Sequence, residues 1–479
     1  MQENARRVPS LFYASKRFRK KVKNFSHGRN IPLLDRIHSV YKENMNRGRN
    51  EDPMGGAMLG NDSCCEKTVA NRLGGVIDRD FDARQVPFLQ ALVGVPSDNP
   101  PGDCAPHAYF SAERLKDLGF EVECHPVPQS VVGQYGMKSA TNLIIRERFG
   151  DGSGPVVALN AHGDVVPPGD GWTHDPYGGV IEDGRLYGRG AAVSKSDFAT
   201  YAFALQALRE VCTDLSGTVE LHLTYDEEIG GHVGPGWLLS EGLSKPDYVI
   251  SAGFTYDVMI AHNGSLQLDI IFTGKSAHSA WPETGADAIE TACRVMTALY
   301  TYRDGLSEHR SAIEGIDSPT LVIGTIEGGI AANVVPAQAQ FRLERRILPD
   351  EQAADVEAEL RRVIAQAADM PGVECVVSQH LLALPLVPTE GQAPLIKALQ
   401  DAAEAAFGER IAQKGMPLFT DARIYSNWGC PTVLYGAGPR RLQDANGHRA
   451  NEHVVLEDMR RATKVVAGAL SQLLRSEAA

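Results

Sequence analysis

The chain has 479 residues, 43% of them hydrophobic and 22% charged, with a formal net charge of −13. That length supports a large core and two domains. The acidic balance argues against general nucleic-acid binding, and no apolar run is long enough to span a bilayer.

The first 53 residues differ from the rest, with 13 Lys and Arg against 5 Asp and Glu, including Lys16, Arg17, Arg19, Lys20, Lys21 and Lys23. They lack the apolar core of a secretory signal, and Arg6-Arg7 is not followed by a long apolar stretch. Residues 1–66 are expected to stand outside the fold. They read as a disordered basic extension, or as residues ahead of a true start at Met54 or Met58, with a basic anchoring arm as the second reading. Eight scattered cysteines show no paired zinc-site spacing. Reduced thiols in a cytoplasmic protein are the expectation.

From residue 81 the pattern alternates. Helical spacing covers 81–93, a Pro/Gly-rich loop 96–106 and a second helix 107–118. A short strand follows at 120–125. Apolar strands are expected at 142–145 and 156–161, a helix at 197–211 and a strand at 217–225. This order predicts an α/β domain with a mixed sheet covered on both faces. Then come a strand at 265–273, a helix at 286–302, strands at 320–326 and 338–348, a helix at 350–368 and a strand at 373–378. That is the β-α-β-β-α-β order of a ferredoxin-like α+β unit. A helix at 393–407, a strand at 431–435 and a helix at 456–474 close the chain. The architecture expected is an α/β domain in two parts, 67–259 and 380–479, with the smaller unit, 260–379, inserted.

Three clusters carry chemistry. His162 ends the apolar strand at 156–161, and strand carboxyl ends are where open α/β sheets place ligands. Asp164, two residues on, can hold one imidazole nitrogen and leave the other for a metal. Taken alone, this is also what a loop histidine bonded to its neighbour looks like. Asp226-Glu227-Glu228 follows the strand at 217–225, and adjacent carboxylates repel unless they share a cation or a proton. Glu227 suits a general base and Glu228 a metal ligand; a solvated acidic turn is the plainer reading. His448 follows the glycine-rich Gly436-Ala437-Gly438 and could supply a second imidazole.

The order of AHGDVVPPGDGW, HDPYGGVIEDGRLYGRGAA, DEEIGG, GKSAHSAWPETGADAIE, GGIAANVVP and FTDAR resembles a family of co-catalytic zinc hydrolases. That family includes aminoacylase, acetylornithine deacetylase, succinyl-diaminopimelate desuccinylase and glutamate carboxypeptidase. The resemblance spans residues 70 to 475. It implies that residues 260–379 form a lid and dimerisation domain. It gives His162 to one metal, with Asp164 as its partner. Glu227 becomes the catalytic base, and Glu228 and His448 ligands of a second metal. His278 would polarise the scissile carbonyl, often across a dimer interface. Asn333, Arg423 and Gly438 would handle the substrate and its carboxylate.

Two positions depart from the family pattern. A bridging aspartate should follow GRGAA, where Val193 stands, and Gly253 stands where an acidic ligand is expected. Two divalent cations about 3.5 Å apart repel by roughly 19 kcal/mol at an effective dielectric of about 20, and a shared carboxylate offsets much of that. The expectation is therefore one divalent metal, zinc first, rather than two, with Asp197 or Asp257 as candidate replacements one helical turn on. The function expected is hydrolysis of an amide or related C–N bond in a small carboxylate-bearing substrate, by a homodimer that binds neither nucleic acid nor membrane. A metal-independent hydrolase or deaminase, and a non-catalytic binding protein for small carboxylates, are the alternatives.

Overall fold

The computed structural model describes residues 62–475. Most of the segment expected to lie outside the fold falls outside the described residues, but its last part does not. A helix, α1, runs Asp62–Asp80 and so begins inside the span assigned to the extension. Leu73, Ile77 and Phe81 recur at four-residue spacing and are buried, so the segment has an apolar stripe of its own despite the basic sequence before it.

The strands in chain order are β1 Glu123–Pro126, β2 Thr141–Phe149, β3 Val156–His162, β4 Val180–Glu182, β5 Arg185–Tyr187, β6 Gly217–Thr224, β7 Tyr248–Ser251, β8 Val258–His262, β9 Gly264–Thr273, β10 Leu321–Gly328, β11 Gln338–Ile347, β12 Glu374–Ala383, β13 Gln413–Met416, β14 Thr432–Leu434 and β15 His453–Val455. Eight of them form a mixed sheet in the order β1-β2-β6-β3-β7-β14-β8-β13. Its centre is parallel, with β3 between β6 and β7. These central strands read as near-continuous apolar runs because both faces are covered. On one face α1 packs with α2 Lys195–Val211, α3 Ala393–Phe407 and α4 Leu456–Leu473. On the other, Ile424 and Tyr425 of the short helix Ala422–Asn427 pack on Ala158 and Val249.

A second, four-stranded antiparallel sheet runs β10-β11-β9-β12. Leu266, Leu268, Ile270 and Phe272 alternate along β9 into a separate core. There they meet Val295 and Leu299 of the helix Ala288–Gly305, and Leu360 and Ile364 of the helix Ala353–Ala367. Each such side chain contributes about 1.5–3 kcal/mol by leaving water. This is the β-α-β-β-α-β order read from the sequence. Among the described residues no helix is long and apolar enough to cross a membrane, and Cys104, Cys124, Cys212, Cys293, Cys375 and Cys430 are free thiols.

Candidate active site

β3 and β6 are parallel neighbours, and His162 lies in register with Thr224 at their carboxyl ends. This register sets His162 beside the turn Asp226-Glu227-Glu228. His162 Nδ1 faces the Asp164 carbonyl oxygen at 2.9 Å. A carbonyl only accepts, so Nδ1 carries a proton and Nε2 is the nitrogen left to face the cavity. Nε2 lies 3.9 Å from Glu227 Oε2. Ligand atoms of His162, Glu227 and Glu228 all fall within 4.8 Å of one another. His448 arrives from the far end of the chain, its Nε2 3.1 Å from Glu228 Oε1. Its backbone is left-handed, φ 63°, in a loop where Asn446 and Asn451 share that conformation.

Asp164 joins the two strand ends. Its buried carboxylate accepts from Asn99 Nδ2 at 3.0 Å and from the backbone N–H groups of Glu227 (3.2 Å) and Glu228 (3.3 Å). It therefore fixes both the histidine and the acidic turn. Burial pushes the Glu227 carboxyl up to about 7, against the opposing pull of His162. A group titrating there can take and return a proton near neutral pH.

These groups open on a cavity of about 200 Å³. His162, Glu227, Glu228 and His448 line it, and so do Val193 and Gly253, which offer no donor. Asp197 is not among the lining residues. It is buried, accepts from Ala437 N at 2.8 Å and from Phe254 N, and presses on Gly436. The one-turn relation to Val193 assumed a continuous helix, but α2 starts only at Lys195, and Asp197 points into the 436–437 turn instead. Burial pushes its carboxyl up to about 7. Asp257 caps Ala412 N (3.0 Å) and pairs with Lys414 (2.9 Å), away from the cavity.

The remaining expected residues lie elsewhere. Arg423 is buried beside the site but does not line the cavity; its Nη2 donates to the Gly230 carbonyl at 2.6 Å and so ties down the turn that carries Glu227 and Glu228. Gly438 makes no wall of the cavity either. A Cβ there would fall on the Phe254 carbonyl, so glycine is required by backbone approach. His278 and Asn333 come together on the second sheet's unit, where His278 bridges to Val334 and Ser279 N donates to the Asn333 carbonyl. Both are exposed and neither lines the cavity.

Three residues with clear positions escaped the sequence reading. Arg346, at the end of β11, lines the cavity; it pairs with Glu344 at 3.1 Å and lies over Phe419, while its Nη1 is buried without a partner. Asp421 lines it too. Burial, and then the neighbouring charge of Glu227, push its carboxyl up to about 8. Glu452 is fully buried. Its Oε1 accepts from Gly190 N (3.0 Å), Ala192 N (3.1 Å) and Val193 N (3.1 Å), and its Oε2 pairs with Arg189. Asp421 stands within FTDAR, where Arg423 held the attention, and Glu452 stands four residues after His448.

Comparison with known proteins agrees with this fold. A succinyl-diaminopimelate desuccinylase of Methylorubrum populi is 30% identical over 417 residues, covering 82% of this chain and all of that one. A solved di-peptidase of Saccharomyces cerevisiae superposes with a TM-score of 0.69 at 16% identity, over 84% of this chain and 98% of that one. A Bacillus subtilis dinuclear metal-binding peptidase of the M20 family superposes with a TM-score of 0.59 at 18% identity, over 83% and 99%. The M20/M25/M40 peptidase pattern itself matches residues 158–472, the span that runs from His162 to His448 and carries every cavity residue described above. The chain belongs to peptidase family M20/M25/M40.

Proposed function

We propose that this protein hydrolyses the amide of an N-acyl amino acid or dipeptide, using one divalent cation and Glu227 as the base. The observation that carries the reading is the convergence of His162, Glu227, Glu228 and His448 on one cavity where Val193 and Gly253 offer no side-chain oxygen. The donor set suits one cation. In this reading His162 Nε2 and Glu228 would hold the cation, with His448, bonded to Glu228, as the third of the protein ligands usual for a catalytic zinc. Val193 and Gly253 offer no side-chain oxygen for a second cation, and Asp197 is engaged by two backbone N–H groups.

A divalent cation held there makes water a better nucleophile at neutral pH and polarises a carbonyl oxygen. Glu227 takes the proton from the attacking water and delivers it to the leaving nitrogen. Asp164 keeps the proton of His162 on Nδ1. Arg346, with one nitrogen buried and unpaired, suits the substrate carboxylate.

His278 lies on a surface rich in exposed apolar side chains. Trp281 is 61% exposed and Ile330 86%, and Val322 and Ile326 stand out on β10, an edge strand. We infer a homodimer through this edge, with His278 serving the partner's cavity as oxyanion donor. The free thiols favour a reducing, cytoplasmic setting.

The test joins metal analysis with Glu227→Gln kinetics. One equivalent of metal per chain and loss of hydrolysis in the variant are expected. Two equivalents would overturn the one-cation site; full activity without metal, or in the variant, would overturn the mechanism.

A further inference from the structure

The cavity has an apolar wall where the donors are missing. Val193, Phe254 and Ala445 form a small buried cluster with Ala192, and Leu418 packs on it. Of these, Val193, Phe254 and Leu418 line the cavity directly. A Cβ on Gly447 would meet Val193 Cγ2 at 3.3 Å and the Phe254 ring edge at 3.9 Å, so methyl, ring and glycine converge on one spot.

This wall is constructed rather than left over. Phe254 has a left-handed backbone, φ 35°, which is costly for a bulky side chain. Two features hold it there: the Asp197 carboxylate accepts from its N–H, and Gly438 is bare enough for its carbonyl to lie close. Asp197 and Gly438 thus have a common role in aiming an aromatic ring into the cavity.

We propose that Val193, Phe254 and Leu418 form a recognition site for an apolar acyl group, so that the substrates are N-acyl amino acids with a medium-length aliphatic or aromatic acyl chain. This rests on the amide-hydrolase reading and specifies its substrate. In an N-acyl amino acid the carboxylate belongs to the amine half. Arg346, from β11, takes that half, which leaves the apolar wall to the acyl half. A succinyl group would set its terminal carboxylate against methyl and ring carbons with no partner, which is unfavourable. An acetyl group would leave the wall unfilled.

The experiment measures kcat/KM for N-acetyl-, N-butyryl-, N-hexanoyl-, N-benzoyl- and N-succinylglycine, and calorimetric binding of the hexanoyl and succinyl compounds to the Glu227→Gln protein. Each buried methylene raises kcat/KM roughly 4-fold, so hexanoyl, with four more methylenes, exceeds acetyl by about 250-fold. Val193→Thr, which keeps the volume and adds a hydroxyl, lowers the hexanoyl-to-acetyl ratio several-fold. Hydrolysis that favours acetyl or succinyl overturns the apolar site and leaves the amide-hydrolase reading standing. Tight hexanoylglycine binding with no hydrolysis of any compound has the opposite meaning. Neither binding nor hydrolysis overturns both.

Discussion

Replacing Glu452 tests the frame on which the site is hung. Its carboxylate accepts three backbone N–H groups of the loop 190–193 and pairs with Arg189. The Arg189 side chain is 1% exposed, lies 5.3 Å from the Trp172 ring and donates to the Pro168 carbonyl at 3.1 Å. Glu452→Ala leaves a buried guanidinium without its counter-charge and three N–H groups without an acceptor. Breaking one side of such a pair costs about 3–5 kcal/mol, a large part of the roughly 5–15 kcal/mol that holds a domain together. Removing both partners is milder, because no charge is stranded. Urea unfolding of Glu452→Ala, Arg189→Met and the double variant measures the coupling, expected at about 2 kcal/mol or more. If the two single losses simply add, or if Glu452→Ala costs under about 1 kcal/mol, the buried pair does not hold the loop and the reasoning fails.

Further outcomes follow from the same geometry. Lys195 is fully buried, its Nζ donating to the Leu92 (3.2 Å) and Val95 (2.9 Å) carbonyls, and burial lowers its pKa to about 7. Between about 7 and the unfolded value of 10.5 the unfolded chain binds more protons, so stability rises with pH in that window, by up to about 1.4 kcal/mol per unit. Lys195→Met should remove that slope in urea midpoints taken from pH 7 to 10. Arg346→Met should lower kcat/KM for acylated amino acids by about a hundredfold and spare their methyl esters; equal losses on acid and ester would rule out a carboxylate contact. Sedimentation should give a dimer, and Ile326→Lys on the β10 edge should give a monomer with reduced turnover, since His278 would no longer reach a partner.

The parts of the fold that were legible are those where periodicity meets full burial. β3 and β6 read as apolar runs ending in His162 and Asp226-Glu227-Glu228, and strand ends are where a sheet presents side chains. The alternation of β9 marked the second sheet in the same way. Legibility failed where the same residue type has several fates. Arg342, Arg345 and Arg346 stand within one strand. The first pairs with Asp269 and the second, buried, with Glu351, so only the third reaches the cavity. Nothing local separates them. Arg423 failed for the converse reason: a guanidinium in a recognised motif suggested a ligand contact, but a main-chain carbonyl claims it. The helix Asp62–Asp80 was obscured by the basic residues before it, although Leu73, Ile77 and Phe81 carry helical spacing.

Charge balance links the two missing donors to the one-cation reading. Five carboxylates, Asp164, Asp226, Glu227, Glu228 and Asp421, gather at the site around two guanidiniums, Arg346 and Arg423, and two imidazoles. Buried charge of one sign is expensive unless it is neutralised. The resemblance read from the sequence implies carboxylates at the Val193 and Gly253 positions, with two dications held. On the one-cation proposal, losing both carboxylates would remove two negative charges and losing one dication two positive charges, so the substitutions together would leave the balance unchanged. Either substitution alone would not. Nor is there room to reverse the second: a Cβ on Gly253 would meet Leu434 Cβ at 2.9 Å, closer than packed carbons approach. Val193→Asp by itself therefore restores one charge without the ligand that should accompany it. Metal analysis of that variant should still give one equivalent, and a second equivalent would show that the Val193 position alone sets the metal count.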